Sequence, residues 1–277
     1  MIVLETLVRH GSDLIDWVEG SGRSNAPARA VAAAGLQLQL TQAPRDLQLV
    51  HRRSSTVLSR RLPASLTQTL DGRAGTAALA RPAITPYGVA GVITDTRGLY
   101  QPRRFSLQFG AATGQVIKLY RSCAGTVYGQ GGGLFGSLSF GPGRPAGWAR
   151  MQLTVTPPLG GNQVFVAQAD VNGEFALALD RLPLPTLDTV ATYPARLRVF
   201  ALDPLAAGAL PTDPATGQLQ IPALNIDELP AARVAIGRDG QQRSRFGAEL
   251  AFRITPGLVR RITSPEHADL LLAPGTP

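Results

Sequence analysis

A short stretch near the amino terminus contains side chains of the types that do chemistry. It reads TLVRHGSD and places His10 beside Arg9, Ser12 and Asp13. A hydroxyl, an imidazole and a carboxylate are the parts of a nucleophilic triad. Here the three lie within four residues of one another, and such local spacing does not imply a triad unless a suitable fold supports it.

The other histidines and the cysteine form no recognisable metal motif. His51 and His267 are far from His10 in sequence, and Cys123 is the only cysteine, which excludes an internal disulfide and a cysteine cluster. Because no partner histidine can be assigned to Cys123, we predict that its role is structural rather than nucleophilic. The sequence predicts no catalytic residue, no metal and no cofactor.

Several carboxylates are candidates for a calcium site. Asp203 and Asp213 each precede a proline, and Asp227 is followed by Glu228. Calcium favours such oxygen ligands, but the chain has no Asp-x-Asp-x-Asp loop. We therefore predict that these residues form turns.

A glycine-rich region extends over Cys123–Trp148 and includes the run Gly131–Gly133. Glycine-rich backbone is able to cradle a phosphate, but here no Lys-Ser/Thr pair and no helical pattern follow the run. The region therefore does not match a P-loop. It predicts a long turn or exposed loop, and a possible domain boundary.

Leu7–Gly11 resembles the Leu-x-Arg-His-Gly signature of the histidine phosphatase family, the phosphoglycerate mutase-like enzymes. The resemblance implies that His10 is a nucleophile that takes up a phosphoryl group and that Arg9 binds the phosphate. It also nominates Arg61, in LSRRLPASLTQT, as a second arginine. The family has a late Ser/Gly-His-Gly motif, which SPEHADL around His267 does not match, and it alternates strands with helices.

Composition favours a β-rich protein. Hydrophobic residues make up 44% of the 277 residues, and the chain has 30 Gly and 22 Pro, which suit short strands joined by turns. The net charge is +8, but the arginines are scattered and no aromatic residues alternate with them, so nucleic acid is not predicted as the main ligand. The first residues resemble no secretory signal and no apolar stretch reaches ~20 residues, so we expect no membrane span and assembly in the cytoplasm.

Hydrophobic periodicity divides the chain. Apolar residues at 3, 4, 7, 8, 14, 15 and 18 suit an amphipathic helix over about residues 1–20, with Asp13, Asp16 and Glu19 on its polar side. A small-residue linker follows to residue 34. From Leu36 onward the apolar residues recur with period two, which predicts short strands throughout.

The stretch AQADVNGEFALALDRLPLP, Ala167–Pro185, predicts a β-hairpin that turns at Asp170–Gly173. Its Ala-x-Ala-Asp-x-x-Gly-x-Phe pattern resembles the carboxypeptidase regulatory-like domains, which are transthyretin-like Greek-key sandwiches. The resemblance covers about residues 146–204 and implies that Phe175 enters the core. GVAGVITDTRG, Gly88–Gly98, has a related pattern and suggests a second module upstream.

The sequence thus predicts a mainly β protein with an N-terminal helix or arm (1–34) and two β-sandwich modules (35–145 and 146–277). Such modules space or bind rather than catalyse. The chain resembles structural components of bacteriophage tails and contractile injection particles, which implies self-association into a symmetric homo-oligomer and contacts with neighbouring particle proteins. Two alternatives remain. One is a carbohydrate- or surface-binding module, which needs a patch of exposed aromatic side chains, although Trp17 and Trp148 are the only tryptophans in the sequence. The other is a histidine phosphatase that uses His10.

Overall fold

A computed structural model describes residues 9–23, 27, 29–61, 85–110, 114–158, 161–183, 192–203, 205, 220–221 and 226–275, with the backbone alone at 9–12 and 61. The described residues are mainly β, as predicted. Two short 3-10 helices, Ala33–Gly35 and Ile226–Glu228, accompany the strands. In chain order the strands are β1 (Arg9–Glu19), β2 (Gly22–Arg23), β3 (Leu36–Gln42), β4 (Gln48–His51), β5 (Ser55–Arg61), β6 (Tyr87–Asp95), β7 (Arg103–Phe109), β8 (Gln115–Leu119), β9 (Gly133–Ser139), β10 (Arg150–Val155), β11 (Gln163–Gln168), β12 (Glu174–Ala178), β13 (Tyr193–Phe200), β14 (Ala231–Arg238), β15 (Ser244–Gly247), β16 (Leu250–Ile254), β17 (Val259–Arg261) and β18 (Leu270–Ala273).

The predicted helix over residues 1–20 is wrong for the described residues 9–19, which form strand β1. Asp13, Ile15 and Trp17 are buried while the residues between them are half-buried, which is the period-two pattern of a strand. The apolar pair at 14 and 15 fits either period, and the pairing of β1 with β5 decides between them. Asp13 therefore lies in the interior and not on a polar helix face.

The chain forms two compact units, each assembled from several segments. The first takes the described residues within 1–18, 30–93 and 105–118. It contains a four-stranded sheet, in the order β4–β5–β1–β8, and a three-stranded sheet, β3–β6–β7. The Tyr87 hydroxyl on β6 donates to Asp13 on β1 at 2.8 Å, so the two sheets contact each other in this unit.

The second unit takes the described residues within 19–29, 94–104 and 119–277. Its sheet follows the order β12–β9–β18–β14–β13–β10–β11–β2, with β15, β16 and β17 added beside β14, β13 and β9. One apolar core draws on both ends of this order, including Phe165 of β11 and Phe175 of β12. Phe175 thus enters the core as expected. The division of the chain at residues 35 and 146 stays a prediction.

The turn at Asp170–Gly173 has the predicted chemistry but does not close a hairpin. The Asp170 carboxylate accepts from the backbone N–H groups of Asn172 (2.8 Å) and Glu174 (2.9 Å), and Gly173 has a φ of +80°. However, β11 pairs with β10 and β2, whereas β12 pairs with β9. The predicted hairpin is therefore wrong, and the turn joins two strands that have different partners.

The Cys123–Trp148 region, predicted as a long turn or exposed loop, is turn and irregular chain as far as Gly132, but β9 follows within it and Gly131–Gly133 are buried rather than exposed. The N–H of Gly133 donates to the carbonyl of Leu258, and the N–H of Leu179 donates to the carbonyl of Gly132, both at 3.0 Å. A Cβ on Gly131 would collide with the Leu179 carbonyl. The glycines therefore permit close backbone approach where the chain enters β9.

Candidate functional site

Phe135 of β9 and Val259 of β17 are exposed on one face of the sheet, and Leu258, which precedes β17, is exposed next to Val259 in the chain. These two strands run parallel, with Val259 opposite Gly133 and Arg261 opposite Phe135. Leu258, Val259 and Phe135 are 59%, 44% and 41% exposed. Large apolar side chains grouped on a surface mark contacts with other molecules more often than isolated ones do. We call these three residues the apolar patch.

An open cleft of about 340 Å³ lies further along β9. Ser137 and Ser139 of β9 form one wall, and Arg144, His267 and Asp269 form others. Ser137 and Phe135 lie two residues apart on β9, so their side chains point to the same side of the sheet. The apolar patch and the cleft are therefore neighbours on one surface.

The polar groups of the cleft hold one another in place. The Ser137 hydroxyl donates to Asp269 Oδ1 at 2.5 Å, and Arg261 Nη2 lies 3.4 Å from the same oxygen. His267 Nε2 lies 3.1 Å from Ser244 Oγ. A serine paired with a histidine is a nucleophile and base arrangement. However, the Asp269 carboxylate binds Ser137 and Arg261 rather than the imidazole, so Asp269, His267 and Ser244 do not form a triad.

Arg144 fixes the loop that edges the cleft, by donating to both carboxylate oxygens of Asp203 at 2.7 and 2.8 Å. Although burial opposes it, the hydrogen bonds from the Leu205 N–H and from Arg144 lower the pKa of Asp203. Asp203 is thus an ion-pair and turn residue, as its predicted turn role requires.

The structure describes the residues of the phosphatase resemblance mainly through their backbones. On β1 and β5, Arg9 lies opposite Arg61 and His10 opposite Arg60, with an irregular register between His10 and Asp13. The side chains of Arg9, His10, Ser12 and Arg61 lie outside the described residues. Among those that are described, we find no α-helix to match the helical layers of that family.

His51 belongs to a local network in the first unit. Its Nδ1 lies 2.9 Å from Thr56 Oγ1, which also accepts a hydrogen bond from the Trp17 indole at 3.0 Å. This network joins three strands, β1, β4 and β5, so His51 helps to hold these strands together.

The remaining candidate ligands do not gather into a metal site. Within the described parts of the chain no three His, Cys, Asp or Glu side chains are grouped to hold a metal ion. Asp227 accepts a hydrogen bond from Tyr120 at 3.2 Å, and Asp213 lies outside the described residues. Trp17 and Trp148 are both buried, so neither offers a surface platform for a sugar ring.

Cys123 is held as a thiol. Partial burial of the sulfur, together with the nearby Asp170 and Glu174, raises the pKa of Cys123 to about 11. We expect iodoacetamide at pH 8 to alkylate it roughly 200-fold more slowly than an ordinary thiol of pKa ~8.5, because only the thiolate reacts. The rate should rise about tenfold per pH unit up to pH 11 and return to normal in denaturant. A plateau near pH 8.5 in the folded protein would contradict this.

Sequence reasoning did not single out the cleft. In the sequence His267 is notable only because its surroundings do not match the Ser/Gly-His-Gly motif, and Ser137, Ser244 and Asp269 belong to no local pattern. The pairing of β9 with β18 and of β14 with β15 brings them together, and these pairings are not visible in the spacing. The only available signal was the run of glycines before β9.

Comparison with known proteins finds no match to this chain among protein-family models, curated proteins or solved structures. Across the described residues, no helix has both the length and the apolar character needed to cross a membrane.

Proposed function

We propose that the protein is a non-enzymatic structural subunit of a bacteriophage tail, baseplate or contractile injection particle, assembled in the bacterial cytoplasm. The observation that carries the proposal is the apolar patch of Phe135, Leu258 and Val259. Burial of such side chains is the main favourable term in protein association. The occupant that we assign to the patch is another copy of the chain, which gives repeated symmetric contacts. Neighbouring particle proteins then bind the assembled ring.

Two transthyretin-like β-sandwich modules remain our proposal for the architecture. The two sheets of the first unit, joined by the Tyr87–Asp13 hydrogen bond, support a sandwich there. The Asp95 turn supports a relation between the modules, because the Asp95 carboxylate accepts from the N–H groups of Arg97 and Leu99 as Asp170 does from its own neighbours. Gly98 has a φ of +68°, close to that of Gly173.

Sedimentation and electron microscopy test the assembly. We expect the full chain to form rings or tubes of defined symmetry, and the double variant Phe135→Ser/Val259→Ser to sediment as a monomer with unchanged circular dichroism. Val50→Ser/Val116→Ser is the matched control, because these two valines are 51% and 60% exposed on β4 and β8 of the first unit. It should assemble normally.

Three results would contradict the proposal. One is a monomer at every concentration that is retained on a polysaccharide column. Another is equal assembly by the wild type and the double variant. The third is turnover of p-nitrophenyl phosphate that His10→Ala abolishes.

A further inference from the structure

The outer face of β10 and β13 carries three arginines that the strand register brings together. Thr154 lies opposite Arg196, Gln152 opposite Arg198, and Arg150 opposite Phe200. In each of these strands the alternate residues point into the core, so these six share the outer side. We call them the basic face.

The three arginines of the basic face follow one another along the direction of the strands. Arg196 and Arg198 are exposed, and Arg150 is half-buried. At about 3.3 Å per residue, the three side chains are spread over roughly 13 Å of the strands. Both Arg150 and Arg198 lie over the ring of Phe200, at 4.2 and 5.4 Å from its centroid, so the aromatic ring holds two guanidinium groups close together.

The positive charge of this face is poorly compensated. Strands β10, β11 and β13 contain no Asp or Glu. Arg196 pairs with Glu249 at 3.0 Å, but the Arg196 side chain is 69% exposed, and exposed ion pairs of this kind are weak. The 3-10 helix Ile226–Glu228 lies beside the face, because Ile226 belongs to one apolar cluster with Val166 and Phe200, and its Asp227 accepts from Tyr120.

Two buried donors beside the arginines have no acceptor among the residues that the structure describes. They are Nε of Arg150 and Nε2 of Gln168, which are opposite residues on β10 and β11. Gln168 is only 1% exposed. Unpaired buried donors are unusual in folded proteins, and here they adjoin a surface that already favours an anion.

We propose that the basic face binds the sugar–phosphate backbone of a nucleic acid. Guanidinium groups pair with phosphate oxygens in a fork geometry, and Gln and Thr side chains such as Gln152 and Thr154 also donate to phosphates. Arg is also enriched at protein interfaces, but those interfaces depend on a buried apolar core, and only one of the six residues of the basic face, Phe200, is apolar. Nucleic-acid interfaces are polar and strongly positive, as this face is.

Fluorescence anisotropy with a labelled 20-nucleotide strand and its duplex tests the proposal. We expect Arg150→Gln/Arg196→Gln/Arg198→Gln to weaken binding at least tenfold. For the single strand, the plot of log K against log salt concentration should become less steep by about 2 in slope, since each phosphate contact contributes about 0.7. Tighter binding of either strand form supports the proposal and identifies the form bound.

Two further variants make the result specific. Arg196→Gln/Arg198→Gln alters only exposed side chains and leaves Arg150 in place, so it should fold normally and lower the slope by about 1.4. Arg233→Gln/Arg243→Gln/Arg245→Gln removes the same charge from exposed positions on β14, on β15 and in the turn between them, and it should change affinity less than threefold. The proposal is overturned if both triple variants weaken binding equally, if the wild type binds neither oligonucleotide, or if poly-glutamate competes as well as the unlabelled strand at equal charge.

Discussion

Gly173→Ala is expected to destabilise the second unit by about 4 kcal/mol. About 1–2 kcal/mol comes from forcing a side chain into the left-handed region, and a further 1–3 from overpacking. Gly173 has a φ of +80°, and a Cβ there would collide with the carbonyl oxygen of Leu138. Because Leu138 N–H donates to the Gly173 carbonyl at 2.9 Å, neither backbone is able to move without losing the contact that places the turn against β9.

Gly98→Ala is the matched control for this prediction. Gly98 ends the equivalent Asp95 turn with a φ of +68°, and a Cβ there would meet nothing within 4 Å. It should therefore cost only about 1–2 kcal/mol, from conformation alone. Urea unfolding of both variants, followed by Trp148 fluorescence with Trp17 replaced by Phe, measures the difference within one unit. Equal costs would show that the approach to Leu138 does not matter.

The same two turns show how far the sequence predicts this fold. Asp170 and Gly173 are recognisable because their roles are local: a carboxylate binds backbone N–H groups two and four residues on, and a glycine takes a positive φ. The strands around them are visible for the same reason, since alternation is a local property, and β3 begins at Leu36, where the predicted period of two begins. The partner of each strand is a tertiary choice. The predicted hairpin failed for that reason, although both of its strands exist.

The basic face is not visible in the sequence, because its residues come from different strands. Arg150 and Arg198 are far apart in the sequence and belong to no arginine doublet, yet both lie over Phe200 once β10 and β13 pair. A search for basic residues alternating with aromatic ones along the chain cannot find such a set. The buried glycines before β9 were misjudged similarly, because a glycine that permits close backbone packing has the same sequence signature as one in an exposed loop.

Asp13 is the clearest case of a residue whose environment reverses its expected role, and its replacement should have the second large effect. It is 0% exposed, and its Oδ2 accepts from the Tyr87 hydroxyl at 2.8 Å and from the Gly110 N–H at 3.2 Å. Burial, with the hydrogen bond to Asp13, raises the pKa of Tyr87 well above its usual range, so the phenol keeps its proton and remains a donor.

Asp13→Ala should therefore cost the first unit about 3 kcal/mol, because it leaves the buried Tyr87 hydroxyl and the part-buried N–H of Gly110, just after β7, without their acceptor. Tyr87→Phe removes only one donor and should cost about half as much, while Asp13→Asn keeps the volume and one carbonyl oxygen and should fall between them. Trp17 fluorescence during urea unfolding, with Trp148 replaced by Phe, reports on this unit. The Asp13→Ala/Tyr87→Phe double variant should then be less destabilised than the sum of the single variants, since each single change already removes the Asp13–Tyr87 hydrogen bond. Strict additivity would mean that the two sheets are held together by apolar contacts and that Asp13 is stabilised by its other neighbours.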